Sequence, residues 1–250
     1  MIVKREGSFI APGNLIVAQM HGNKPVHSLT AQNMRSKINR MNLSRLKQAE
    51  AVFLQRYPGG FNNPELIATR VKKHRPDQMI ALARESFAPE NFNRPELIVQ
   101  SMVKVMGRSS ITSVFEKAKF KNFANSLSGD EKEFLSSSLN QLLHENEQTG
   151  FEMMLDLLKS RKQAKWTLMT VCPTYFHPQR DVFIKPTTVK GVIQYFELEH
   201  LHYQPTPSWT FYEEYRSAFH ELKSRVDASL SPTNPAFSGF LWMTIRGEVL

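Results

Sequence analysis

Apolar side chains recur at intervals of three and four residues through most of residues 30–165, and turn residues interrupt them at short intervals. In one such run Leu46, Ala49 and Phe53 would share a face, and the turn Pro58-Gly59-Gly60 follows closely. This period is that of an amphipathic helix, and proline followed by glycine ends helices. The sequence therefore predicts a mainly α-helical protein with a helical bundle at residues 30–165.

A seven-residue motif, FNNPELI at residues 61–67, returns as FNRPELI at residues 92–98. Each copy places an asparagine, Asn62 or Asn93, before a proline and a glutamate. Asparagine caps helix starts, proline is tolerated in the first turn, and the helix dipole favours a carboxylate there. The motif therefore predicts two helix starts. A duplicated helical hairpin stays open as an alternative, although two copies are fewer than a solenoid needs.

The pattern changes after residue 165. The segment KWTLMTV (165–171) suits a strand, residues 182–184 suit a short extended piece, and LEHLHYQ (198–204) suits a brief strand. The apolar segment AFSGFLWMTI (236–245) must be buried. These features predict a smaller α+β C-terminal region, residues 166–250, packed on the helical domain.

Three local signals locate helix ends. Ser128 with Glu131, and Thr210 with Glu213, have the spacing of a capping box, in which each residue bonds to the other's backbone N–H. Gly150 follows a predicted helix and is expected to end it.

The positive charge of the chain is concentrated near its N-terminus. The net charge is +9, and residues 1–50 hold eight Lys and Arg residues against two Glu residues, which is 8 − 2 = +6. Glycine, proline and asparagine occur at short intervals there, so residues 1–29 are predicted to form an irregular basic arm with one short strand at residues 14–19. Such an arm suggests a polyanionic partner, although a surface that only promotes solubility is an open alternative.

Three further basic clusters lie on predicted helices, at residues 70–75, 117–121 and 159–165. Each cluster is also typical of a solvated helix face, but together with the arm they favour a surface that contacts phosphates. We therefore predict a nucleic-acid-binding protein, with DNA favoured over RNA and a non-catalytic role favoured over an enzymatic one. The predicted contacts are Lys4, Arg5, Arg35, Lys37, Arg40, Arg70, Lys72, Lys73, Arg75, Lys117, Lys121, Arg161 and Lys162.

Catalytic and cofactor motifs are weak. His200 and His202 would share one face of a strand, but the sequence does not fix a third ligand, and no metal or other cofactor is predicted. Cys172 precedes His177 by five residues, and a lone cysteine is more often a small buried apolar residue than a nucleophile. The chain contains no Gly-x-x-x-x-Gly-Lys phosphate loop.

Two alternatives to nucleic-acid binding remain. The first is an interaction subunit of a multi-protein complex. The second is a metal-dependent nuclease, because Pro76-Asp77 and Asp130-Glu131-Lys132 match the letters of a nuclease motif. Both stretches also resemble helix starts, where acidic residues are common. The single cysteine, the absence of a long apolar run and the absence of a signal-peptide pattern predict a cytoplasmic protein.

The last third of the chain carries a spaced pattern of lysine, proline and aromatic residues. The pattern falls on Lys165-Trp166, Lys185-Pro186, Tyr203, Pro205, Pro207, Trp209, Tyr212 and Trp242. This pattern resembles that of a family of uncharacterised bacterial proteins that has no assigned activity. The resemblance covers about 85 residues, and Pro235-Ala-Phe-Ser-Gly-Phe departs from the Asp-x-Gln-Ser-Phe usual there. Core packing and helix capping are the favoured explanation of the aromatic residues, and a pocket at Lys185, Tyr203, Trp209 and Tyr212 is the alternative.

Overall fold

The computed structural model describes residues 41–247, with the backbone alone described at residues 69–71 and 73. The predicted basic arm, the strand at residues 14–19 and the contacts Lys4, Arg5, Arg35, Lys37 and Arg40 lie outside the described residues. The side chains of Arg70 and Lys73 do so as well.

The described part of the chain is mainly α-helical, which confirms the predicted class. Short 3-10 turns at Gly60–Asn62, Pro89–Asn91 and Ala228–Leu230 lie in three of the connections. The helices, in chain order, are α1 (Leu43–Arg56), α2 (Pro64–Lys73), α3 (Pro76–Ser86), α4 (Pro95–Arg108), α5 (Val114–Ser126), α6 (Gly129–His144), α7 (Glu147–Ser160), α8 (Trp166–Phe176), α9 (Pro186–Tyr195), α10 (Trp209–Ser224) and α11 (Asn234–Ile245).

The α+β character predicted for residues 166–250 is wrong for the part of this region that is described, because residues 166–247 contain no strand. Most of the segment KWTLMTV belongs to helix α8, and residues 182–184 and 201–204 have no regular secondary structure. All but one residue of α8 are buried. A helix that is buried on every side needs no polar face, so its sequence lacks the period that identifies an amphipathic helix.

Both copies of the FNxPELI motif begin a helix, as predicted. Helix α2 starts at Pro64 and α4 starts at Pro95. In the first copy the capping side chain is that of Asn63, whose Oδ1 accepts a hydrogen bond from the Glu65 N–H at 3.0 Å. In the second copy Arg94 occupies the cap position and makes no side-chain cap bond. The motif therefore sets the position of a helix start, but the asparagine predicted to cap it, Asn62 or Asn93, does not do so.

One of the two predicted capping boxes is confirmed. The Ser128 side chain accepts a hydrogen bond from the Glu131 N–H, and the Glu131 carboxylate accepts one from the Ser128 N–H. The box predicted at Thr210 is wrong, because Ser208 caps α10, which begins at Trp209. The prediction that Gly150 ends a helix is also wrong. Gly150 lies inside α7, where it packs against α6.

Side chains from both sides of residue 165 contribute to the same hydrophobic core. Helix α8 contacts α3, α4, α6 and α7, so the C-terminal helices are packed on the preceding ones. The position of a domain boundary at residues 165 and 166 stays a prediction. Within residues 41–247, no helix is both long enough and apolar enough to cross a membrane.

Candidate nucleic-acid interface

A cleft with basic walls lies where the end of α2, the start of α3 and the end of α4 meet. Its volume is about 540 Å³, which is within the range of pockets that hold small ligands. We call it the basic cleft. It is lined by Lys72, His74, Arg75, Gln78, Met79, Leu82 and Arg108.

The connection between α2 and α3 builds one wall of the basic cleft. Helix α2 ends at Lys73 and α3 begins at Pro76, so only two residues join them. Arg75 makes the turn in the left-handed region, with φ of 43° and ψ of 51°. A residue other than glycine costs about 1–2 kcal/mol in this conformation. The turn places basic side chains beside the first turn of α3, whose unpaired N–H groups carry partial positive charge.

Hydrogen bonds fix the connection between α4 and α5, which directly follows Arg108 of the cleft lining. His74 Nδ1 lies 2.7 Å from Ser110 Oγ and joins this connection to the α2–α3 turn. Ser109 Oγ lies 3.1 Å from the hydroxyl of the buried Tyr175. Thr112 Oγ1 donates to the carbonyl of Met106 at 3.2 Å. These three hydrogen bonds therefore fix the position of the chain directly after Arg108, the last residue of α4.

The cations of the basic cleft are not neutralised by the carboxylates that the structure describes. None of these carboxylates forms an ion pair with Lys72, Arg75 or Arg108. The cleft lining contains no acidic residue. Because unpaired cations in a concave surface raise the local concentration of anions, the cleft is suited to an anionic ligand.

A comparison of the chain with models of protein families, with curated proteins and with solved structures finds no match. The resemblance to a bacterial family therefore stays a prediction. The functional assignment depends on the geometry of the chain itself.

Two of the predicted contacts, Lys72 and Arg75, lie together in the basic cleft. The cleft also contains two basic residues that the prediction did not assign to it. His74 belongs to the same run as Lys72 and Arg75. Arg108 follows Gly107 at the end of α4, 33 residues beyond Arg75, and no spacing rule connects the two.

The other predicted contacts whose side chains the structure describes do not line the basic cleft. Lys117 and Lys121 lie on α5, where Lys117 is half-buried and Lys121 is exposed. Arg161 forms an ion pair with Glu131, and its Nε donates to Glu131 Oε1 at 2.9 Å. Lys162 is exposed after the end of α7. Arg161 is therefore the least suited of these residues to bind a phosphate.

The four candidate pocket residues do not line a described cavity together. Lys185 is exposed at the start of α9, and the ammonium of Lys190 lies 5.1 Å from the centre of the Tyr203 ring. Trp209 and Tyr212 both contact the guanidinium of Arg216. The rings form one chain of contacts with centroid distances of 5.3–6.3 Å, which favours core packing; its members are Tyr203, Phe211, Trp166, Phe151, Trp209 and Tyr212.

A buried ionic cluster lies between α7, the α8–α9 connection and α10. The Asp181 side chain is fully buried and receives hydrogen bonds from the Tyr212 hydroxyl at 2.9 Å and from Arg180 at 2.9 Å. Arg216 bonds to both Asp181 and Glu147, and Arg180 also pairs with Glu147 at 3.2 Å. Two cations and two anions balance one another, so this cluster, here called the Asp181 cluster, suits a structural role.

The pKa values in the Asp181 cluster follow from burial and from these bonds. Burial raises the pKa of Tyr212 well above its usual range. Burial alone would lower the pKa of Arg216, but the hydrogen bond to Glu147 and the nearby negative charge raise it above its ordinary value. Arg216 therefore stays protonated, and Tyr212 stays neutral and its hydroxyl donates a hydrogen bond to Asp181.

The residues that match a nuclease motif lie at the starts of helices. Asp77 lies in the first turn of α3, and Asp130 and Glu131 lie in the first turn of α6. Glu131 is engaged with Arg161, and Lys132 pairs with Glu96 at 2.7 Å. In the described part of the chain, no group of three His, Cys, Asp or Glu residues is arranged to hold a metal ion.

Cys172 should be unreactive in the folded protein. It is buried in α8, and this burial raises its pKa to about 12, so almost none of it is thiolate, the nucleophilic form. A chromogenic disulfide reagent at about pH 8 should modify the thiol only after denaturant unfolds the chain. Modification of the native protein at the rate of free cysteine would contradict the buried placement.

Proposed function

We propose that this protein binds nucleic acid without catalysing a reaction, and that the basic cleft contacts the phosphates. The observation that carries this proposal is the convergence of Lys72, Arg75 and Arg108 on one cleft with no acidic residue in its lining. Guanidinium groups bind phosphate oxygens in pairs, and the start of α3 adds further N–H donors.

The predicted contacts outside the cleft extend the same proposal. Lys121 and Lys162 are exposed and make no ion pair with a described carboxylate. The N-terminal cations contribute a large share of the net charge of +9. Phosphate contacts of this kind supply affinity without reading the sequence of bases.

Substitution of two cleft cations should weaken nucleic-acid binding. We expect the double variant Arg75→Gln/Arg108→Gln to bind labelled oligonucleotides at least about tenfold more weakly at low salt. Its plot of log affinity against log salt should be shallower by roughly 1.5–2, because each lost phosphate contact releases about one counterion fewer. Fluorescence anisotropy with single-stranded DNA, duplex DNA and RNA at several salt concentrations measures both quantities.

A matched control removes the same charge from exposed positions of α3 and α4. Arg84 on α3 and Lys104 on α4 are exposed and do not line the basic cleft. The variant Arg84→Gln/Lys104→Gln should keep most of the affinity. Equal losses of affinity in both double variants would show that binding depends on the net charge and not on the position of the cations. That result would overturn the role of the basic cleft. Failure of the wild-type protein to bind any of the three nucleic acids at low salt would overturn the proposed function.

A second candidate function, docking on another protein, is favoured by one observation. Val114 and Phe115 at the start of α5 are large apolar residues that are 77% and 80% exposed. An exposed apolar pair is expected of a subunit that covers it with a partner. Substitutions of Val114 and Phe115 separate this function from nucleic-acid binding.

A further inference from the structure

The start of α5 presents an aromatic ring to solvent. Phe115 is 80% exposed, whereas aromatic side chains are usually buried in the core of a protein. The core contacts of α5 come from residues further along the helix, Phe120, Phe123 and Ala124. The exposed ring is therefore not needed to pack the helix.

The surroundings of Phe115 are cationic. Lys119 lies four residues later on the same face of α5, and Lys121 is also exposed. Neither lysine forms an ion pair with a carboxylate within residues 41–247.

The one acidic residue of α5 does not cancel this charge on the exposed face. Glu116 is half-buried, accepts a hydrogen bond from the Ser113 N–H at 2.8 Å and is also bonded to Thr167. Burial alone would raise the pKa of Glu116, but these hydrogen bonds lower it overall. The carboxylate is therefore ionised and held by its own partners at the helix start.

Phe115 lies seven residues after Arg108, which lines the basic cleft. Arg108 ends α4, and the connection of residues 109–113, held by His74 and Tyr175, leads directly to α5. Because consecutive Cα atoms are 3.8 Å apart, the Cα atoms of Arg108 and Phe115 are separated by at most about 27 Å. A single strand of about eight nucleotides, at a rise of about 3.4 Å each, can reach both.

We infer that Phe115 is a stacking platform for a base of single-stranded nucleic acid, with Lys119 and Lys121 on the adjacent phosphates. This inference rests on the proposed function and names its substrate class. An aromatic ring beside cations binds single strands without sequence preference, because every base has a flat face that can stack. Bases in a duplex are already stacked on one another, so a duplex cannot use the ring in this way.

The test uses four single variants of the full chain: Phe115→Ala, Phe115→Leu, Phe115→Trp and Val114→Ala. Fluorescence anisotropy would use a labelled oligo(dT) and a duplex of the same length. Alanine and leucine at position 115 should weaken binding of the single strand about 5- to 150-fold, which is the usual loss for one stacked base. Tryptophan should bind as well as phenylalanine or better, and Val114→Ala should change binding less than twofold.

Two further measurements distinguish a failure of the stacking inference from a failure of the proposed function. They are the affinity for the duplex and the affinity of the Arg75→Gln/Arg108→Gln variant. Duplex affinity should change less than twofold in all four variants, and thermal unfolding should show that each one keeps its fold, because both positions are exposed. If Phe115→Leu binds the single strand like wild type, stacking is overturned. If the Arg75→Gln/Arg108→Gln variant still weakens binding in that case, the proposed function survives without the stacking site.

Other occupants of this surface would give different results. A protein partner or an anionic membrane would contact both apolar side chains and would accept leucine in place of phenylalanine. Co-sedimentation with phosphatidylserine vesicles that is lost in both Val114→Ala and Phe115→Ala, together with unchanged single-strand binding in both, would overturn the inference in favour of a membrane surface.

Discussion

Replacing Arg216 with methionine should lower the free energy of unfolding by about 3–5 kcal/mol, the usual cost of breaking a buried ion pair from one side. The guanidinium lies 3.3 Å from Asp181, whose side chain is fully buried, and it also bonds to Glu147. Methionine fills a similar volume but supplies no charge. Glu147 and the fully buried Asp181 would then share a single cation, Arg180.

The aromatic neighbours of Arg216 add to the expected loss. Its guanidinium carbon lies 5.5 Å from the centre of the Trp209 ring and 5.2 Å from that of Tyr212. Cation–π contacts of a desolvated arginine contribute on the order of 1–2 kcal/mol. Lysine keeps the charge but lacks the planar guanidinium that lies over the Trp209 and Tyr212 rings, so Arg216→Lys should recover only part of the lost stability.

Arg225 supplies a matched control just beyond the end of the same helix. It pairs with Glu221 at 2.6 Å, but its side chain is 48% exposed, and surface pairs contribute about 0–1 kcal/mol. Urea unfolding followed by circular dichroism should therefore separate Arg216→Met from Arg225→Met by several kcal/mol. Equal losses in the two variants would mean that the Asp181 cluster is solvated and does not stabilise the fold.

The helices that could be predicted from the sequence are those with one polar face. In α1 and α4, apolar residues at intervals of three and four face the core, and the FNxPELI motif sets the start of α4 correctly. Helices α8 and α11 could not be recognised in this way. Both are apolar on nearly every side, so α8 appeared as a strand, and α11 could be predicted only as a buried segment.

The candidate site could be predicted in part for a related reason. Lys72 and Arg75 are close in sequence, and one turn brings them together. In α5, by contrast, apolar residues occur on both faces of the helix. The structure buries Phe120 and Phe123 and exposes Val114 and Phe115. When both faces are apolar, only the neighbouring helices decide which face is buried.

The Asp181 cluster could not have been predicted from spacing at all. Its bonds join residues that are 31, 35 and 69 positions apart in the sequence. Local rules describe pairs three or four residues apart on one helix, and this cluster instead depends on how α7 and α10 pack. Partners at such separations become neighbours only through the tertiary fold.

Replacing Gly150 with alanine should also destabilise the protein strongly, by about 3 kcal/mol or more, the upper end of the cost of overpacking. A Cβ atom at this position would lie 2.1 Å from the Leu142 backbone nitrogen and 2.7 Å from the Ser138 carbonyl oxygen. Both contacts are with the backbone of α6, so no change of rotamer can relieve them. Helices α6 and α7 would have to move apart at the point where their backbones are closest.

The clash at Gly150 outweighs the intrinsic preference of the helix. Alanine is favoured over glycine by about 1 kcal/mol in a helix interior, so a position without the contact to α6 should be stabilised by the same change. Gly107 in α4 is such a position, because nothing lies within 4 Å of its added Cβ. Gly107→Ala should therefore raise the free energy of unfolding by about 0.5–1 kcal/mol.

The two alanine variants together test the packing of α6 on α7. For a chain of this size, a loss of 3 kcal/mol lowers the midpoint of thermal unfolding by roughly 6–12 °C, whereas Gly107→Ala should raise it slightly. Differential scanning calorimetry measures both shifts. If Gly150→Ala unfolds at the wild-type temperature or above, α6 and α7 do not approach each other this closely.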